Sequence, residues 1–237
     1  GQDVFSGLSV LDIVKRQLPH TVVLVCVAIG WAATLGIILG CFSAVRRNSI
    51  LDRIIGVITV GAIAIPSFVV SLYALLIFAV TLRVLPALGA GESGDIIDQL
   101  KHLVLPGFAL GLGWVGYIAR LVRASMLEVM GENFIRAARA YGLPERKIIA
   151  RYALKIAIVP TVTLLGVGIG NMLSGALFAE IVFARPGIGK LIYDMVLMRN
   201  YPVVQGAVLV TTALFVVSAL IADMVNSYLD PRVRANL

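Results

Sequence analysis

Five stretches of this chain carry no Asp, Glu, Lys or Arg: Thr21–Val45, Ile54–Leu82, Leu103–Ala119, Ile156–Ala179 and Tyr201–Ala222. A helix needs about 20 apolar residues to cross about 30 Å of hydrocarbon, and each stretch approaches or exceeds that length. Lipid offers no partner to backbone N–H and C=O groups, so runs of this kind fold as helices that satisfy themselves. With 59% hydrophobic and 14% charged residues, the 237-residue chain also lacks the charge that covers a soluble domain. The expected fold is all-α: a polytopic membrane helix bundle with five spans.

The net charge of +7 then belongs to cytoplasmic loops, which collect Lys and Arg, and not to a nucleic-acid surface. Arg46, Arg47 and Arg53 follow the first run. The segment from Arg120 to Lys155 holds eight basic residues against the three acids Glu128, Glu132 and Glu145. Between these lies Arg83–Lys101, with Glu92, Asp95 and Asp98. The positive-inside rule puts the basic segments in the cytoplasm and the acidic one outside, and alternation puts Ala184–Arg199 outside. The N-terminus is then outside and the C-terminus, with Arg232 and Arg234, cytoplasmic. An outside N-terminus with no signal, on a chain opening without Met, predicts a further span before Gly1.

Cys26 and Cys41 fall on one helix about 22 Å apart, too far to bridge, and read as small packing residues with no metal role. Gly36/Gly40, Gly107/Gly111 and Gly166/Gly170 recur at a spacing of four, continued by Ser174, which lets helix backbones approach. Pro66 and Pro160 are candidate kinks. Glu180 and Asp223 lie near opposite ends of their spans and read as structural. Asn171 and Ser174, three residues apart, read equally as pathway-lining groups or as interhelical hydrogen-bonding groups. No series of Asp, Glu and His crosses the membrane centre, which speaks against an ion-coupled carrier. An intramembrane enzyme built on Ser174-Gly175 would need a facing histidine, and His20 and His102 sit at span edges.

Within the basic segment a helix-forming run ends at Gly142-Leu143-Pro144 and a second basic helix follows. This describes a helix–turn–helix on the membrane surface. Its use is either docking of a partner or binding of anionic lipid headgroups.

The run Arg136-Ala137-Ala138, followed after three intervening residues by Gly142, resembles the EAA loop of ABC-importer permeases, specifically the branch importing dipeptides, oligopeptides, glutathione or nickel. Further segments are similar to that branch in order: Val10-Leu11-Asp12, Gln17-Leu18-Pro19-His20-Thr21, Ala64-Ile65-Pro66-Ser67-Phe68, Ala179-Glu180-Ile181-Val182-Phe183, Arg185-Pro186-Gly187-Ile188-Gly189, Asn200-Tyr201-Pro202-Val203-Val204-Gln205-Gly206 and Leu229-Asp230-Pro231-Arg232-Val233-Arg234. Arg136 replaces the name-giving Glu of the broader pattern, and Lys155 stands where its Pro is expected. Both departures fit the narrower branch.

The resemblance implies one permease domain over 1–237, with a periplasmic lead-in at 1–19. Spans are expected near 20–45, 54–82, 103–125, 157–183 and 202–229, and a coupling loop near 126–156. It implies that Phe134, Ile135, Arg136, Ala137, Ala138, Arg139, Ala140, Tyr141 and Gly142 form the coupling element for separate ATPase subunits. The implied partners are two ATPases, a second homologous permease, an extracytoplasmic substrate-binding protein and membrane lipid, in a bacterial inner membrane. ATP and Mg would be bound by the ATPases, with no cofactor in this chain. Arg185–Lys190 lacks the spacing of a phosphate-binding loop.

Overall fold

The computed structural model describes residues 1–92 and 94–229, without the side chains of residues 223 and 226–229. The readings made of Asp223 and of residues 230–234 therefore lie outside the described residues.

Two long helices form the spine: α1 (Val10–Val45) and α4 (Ile96–Met130). Both exceed their charge-free runs, and Asp95 begins α4 by accepting the N–H groups of Ile97 and Asp98 at 2.9 and 3.1 Å. Glycines seat the pair. A Cβ on Gly40 would lie 2.5 Å from the Ala119 carbonyl, and one on Gly111 would lie 2.7 Å from that of Ala28. Trp31 donates its Nε1 hydrogen to the Gly107 carbonyl at 2.9 Å. Leu24, Ala28, Ala32, Ile118 and Val122 are buried along this seam, where close backbone approach replaces the hydrophobic drive that lipid does not supply.

The second apolar stretch is broken. The helices α2 (Ile50–Ala64) and α3 (Ser67–Ala74), the latter continued by a π-helical segment Leu75–Thr81, meet at 98°. Pro66 has no N–H to continue the ladder and drives Ile65 into an extended conformation, φ −89° and ψ 121°. Pro160 causes no such break, because it stands in the first turn of α8 (Val159–Val182), where its N–H is not needed. After α9 (Ile188–Leu197), α10 (Tyr201–Leu229) returns along α8. Gly166 there faces Ala222, and Gly170 faces Phe215. Among the described residues α1, α4, α8 and α10 are long and apolar enough to cross a membrane, and the bent pair raises the count to five.

Between α4 and α8 lie α5 (Asn133–Ala140), the one-turn α6 (Glu145–Lys147), a π-helical segment Ile148–Ala153 and α7 (Leu154–Ala157). At the same end, buried Asp52 of α2 holds the loop after α1. It accepts the Ser43 hydroxyl, the Asn48 N–H at 2.9 Å and two Arg123 nitrogens at 2.8 and 2.7 Å. Arg123, one of the eight bases of the loop segment, is thus committed to an internal ion pair.

Candidate functional site

The α5 helix is two-faced. Ile135 and Ala138, three residues apart and so on one side, are buried at 0% and 7% exposure. They enter a cluster with Met126 and Val129 of α4 and with Ile148, Ala153 and Ala157 beyond the turn. The other side shows Phe134, Arg136, Ala137, Ala140 and Tyr141 to solvent, Tyr141 at 86% exposure.

Its end is fixed by a left-handed residue, Gly142, at φ +74°. The Gly142 N–H donates to the Arg139 carbonyl at 2.9 Å and the Leu143 N–H to the Ala138 carbonyl at 3.2 Å. These are the paired bonds of a Schellman stop, and Pro144 then prevents continuation. Arg139 reaches across this turn to Glu145 with bonds of 2.7 and 3.2 Å. That hydrogen-bonded partner holds the Glu145 carboxyl below its ordinary value. Arg136 has no such internal partner among the described residues, so the two arginines play different parts. Phe134 to Gly142 form a helix and its stop: Ile135 and Ala138 anchor it, Arg139 is tied to Glu145, and Phe134, Arg136, Ala137, Ala140 and Tyr141 are exposed.

At the opposite end of α8, Glu180 is fully buried. It accepts the Thr21 hydroxyl of α1 at 2.6 Å, the Lys190 N–H at 3.0 Å, and the Gly189 N–H. The Ile188 N–H donates to Thr21 Oγ1 at 2.8 Å. The first three amides of α9, which have no partner inside their own helix, are therefore capped by two other helices. The capping carboxylate also lies where the α9 dipole favours negative charge. Glycine is required here for space: a Cβ on Gly187 would run into the Glu180 carboxylate, and one on Gly189 would lie 2.5 Å from Leu177 Cα. Arg185, 3% exposed, donates its backbone N–H to the Glu180 carbonyl at 2.9 Å, while its side-chain Nε and Nη1 lack hydrogen-bond partners among the described residues. Sequence reasoning reads Glu180 as structural but does not single out Thr21 as its partner; the spaced Gly187 and Gly189 close behind an acid are the available signal.

Asn171 and Ser174 are both exposed, yet they face different cavities. Asn171 lines a cavity of about 200 Å³ with Pro66, Ser67, Trp114 and Tyr117. Ser174 lines one of about 240 Å³ with Thr21, Ile188, Thr211 and Thr212. No group of three or more His, Cys, Asp or Glu residues placed to hold a metal occurs among the described residues.

Residues 36–235 match the family model described as binding-protein-dependent transport system inner membrane component. The chain is 36% identical over 226 residues to the dipeptide transport system permease protein of Bacillus subtilis, covering 95% of this chain and 71% of that protein. It is 33% identical over 234 residues to the glutathione transport system permease protein of Shigella flexneri, covering 99% and 74%. Among solved structures, the inward-facing methionine ABC transporter MetNI contains a chain similar at a TM-score of 0.77 and 18% identity. The two overlap over 93% of this chain and 97% of that one, a likeness of fold.

Proposed function

The chain belongs to the family of binding-protein-dependent transport system inner membrane components, and from that premise we propose that α5 is where separate ATPase subunits drive the bundle. The chain is the membrane-spanning subunit of an ABC importer and not an enzyme; ATP hydrolysis lies with partner subunits, and an extracytoplasmic binding protein delivers the solute. The cargo is a short peptide or related solute, a reading supported by relatives named for dipeptide and glutathione transport. The complete assembly pairs this chain with a second homologous permease and two ATPases, which carry ATP and Mg. The α5 end faces the cytoplasm and the α9 end faces outside, in keeping with the Lys and Arg bias of the loops.

The observation that carries the coupling reading is the exposed α5 face. An apolar and cationic surface of Phe134, Arg136, Ala137, Ala140 and Tyr141 stands on a helix whose other side is fixed in the core. Ala137 and Ala140 allow a partner backbone close, and Arg136 offers charge-assisted hydrogen bonds to acids or carbonyls. Pulling on this helix moves Ile135 and Ala138, and with them the end of α4 and the Ile148–Ala157 segment that leads into α8.

Ala137→Trp tests this without touching the buried face. We expect it to abolish retention of the ATPases during purification of the complex while thermal unfolding of the permease is unchanged. Full retention of ATPase by Ala137→Trp would remove α5 as the docking point.

A further inference from the structure

Two features that hydrocarbon does not tolerate face one cavity midway through the bundle. The first is the break at Ile65-Pro66 between α2 and α3, since irregular backbone at membrane depth persists only where protein or water covers it. The second is Asn171, near the middle of α8, exposed and without a side-chain hydrogen bond among the described residues. A bare carboxamide in lipid is costly. Packing contacts fix its level: Gly168 of α8 faces Trp114 of α4, and Gly175 faces Leu110, so Asn171 lies between these two crossings.

The remaining wall is aromatic and neutral. The Trp114 and Tyr117 rings are 5.9 Å apart at 50°, Tyr117 is half exposed, and Ser67 opens α3 at the rim. Among the described residues, no Asp, Glu, Lys, Arg or His lines this cavity. Ser174, one turn along α8, turns instead to a cavity where the Thr211 and Thr212 hydroxyls are committed to their own helix carbonyls at 2.8 and 2.9 Å.

Building on the importer reading above, we propose that Asn171, with Ser67, Trp114 and Tyr117, forms a hydrated wall of the translocation route that binds the peptide bond of the passing solute. A carboxamide presents one acceptor and two donors, the complement of a peptide N–H and C=O. The ring faces receive an apolar side chain. With no charge in the wall, recognition falls on the backbone amide and not on the charged termini. Asn171 is thus a specificity-determining residue, and Ser174 is not.

The test uses the complete transporter, with its partner permease, ATPases and binding protein, in proteoliposomes, with Cys26→Ala and Cys41→Ala as the background. Asn171→Cys should react with a charged, water-soluble methanethiosulfonate, and saturating alanylalanine with binding protein and ATP should slow that reaction. Leu209→Cys, on the 70% exposed face of α10, should stay unreactive. Asn171→Leu should lower alanylalanine uptake about tenfold, the scale of one lost hydrogen bond, and lose the preference for alanylalanine over its ester analogue alanyl-lactate. Asn171→Gln should recover part of both. Asn171→Cys as unreactive as Leu209→Cys, in a transporter that still takes up peptide, overturns the hydrated wall and leaves the importer reading intact. Labelling without protection by peptide, together with unchanged amide preference in Asn171→Leu, overturns the binding role. Absence of ATP-driven uptake from the cysteine-free background carrying native Asn171, with the ATPases bound, counts against the importer reading itself.

Discussion

The two ends of the bundle handle charge in opposite ways. At the α9 end Glu180 is fully buried and every oxygen is occupied by Thr21 and the α9 amides. At the α5 end Arg136 stands in solvent with no internal partner among the described residues. A buried charge survives only when the fold surrounds it with partners, so the first end is a joint internal to the chain. An exposed cation on a rigid helix is available to something else. The contrast separates what the chain needs to hold its shape from what it offers to other subunits.

Breaking the clasp should have the largest effect on stability. Glu180→Leu leaves the Gly189 and Lys190 amides and the Thr21 hydroxyl without their acceptor. A destabilisation of about 3 kcal/mol or more is expected, read as a lowered thermal unfolding midpoint in detergent. Gly187→Ala should cost about 1–3 kcal/mol by overpacking against the carboxylate, since its φ of 171° is extended backbone that alanine adopts freely. A midpoint unchanged in both variants would mean that α9 is held by its apolar contacts with Val10, Val14 and Val203 alone.

Changes at the α5 end should separate stability from coupling. Gly142→Pro cannot reach φ +74° and loses the bond to Arg139, so the Schellman stop fails. ATP hydrolysis by the assembled complex should continue while peptide uptake per ATP falls severalfold. Normal coupling in Gly142→Pro would show that the geometry of the turn is immaterial. Gly142→Ala retains the N–H and meets only the left-handed penalty of roughly 1–2 kcal/mol, so its coupling defect should be smaller.

The smallest effect belongs to the exposed Arg139–Glu145 pair. Because Glu145 has a lowered value in the folded chain, the pair contributes above the ordinary carboxylate range and is lost as pH falls through that lowered value. Glu145→Gln should therefore change the unfolding midpoint by less than about 1 kcal/mol-equivalent near neutral pH. It should also remove any difference from the native chain below that range. A larger neutral-pH loss would make the turn a structural joint like the clasp.

Sequence alone carried the helical class, the apolar runs and the helix that stops at Gly142, because each rests on local chemistry within a few residues. It did not carry the joints, whose members are far apart: Thr21 and Glu180, and Asp52 and Arg123, meet only after the helices pack. Arg123 therefore counted as one more loop base until the structure placed it beside Asp52. The break at Pro66 was legible as a candidate, whereas the angle of 98° and the π-helical segments were not. Asn171 and Ser174 show how helical spacing misleads. Three residues turn a helix by about 300°, leaving the two side chains about 60° apart. On α8 that step crosses from the cavity beside α3 and α4 to the cavity beside α9 and α10.

The most direct test of α5 as the driven element is proximity. Ala137→Cys in the Cys26→Ala, Cys41→Ala background, assembled with otherwise cysteine-free subunits, would be alkylated with benzophenone maleimide and irradiated, so that the excited ketone inserts into a C–H bond of whatever lies against α5. A covalent adduct with an ATPase subunit is expected from Ala137→Cys and none from Leu209→Cys. An intact, transporting complex in which Ala137→Cys yields no ATPase adduct would contradict it.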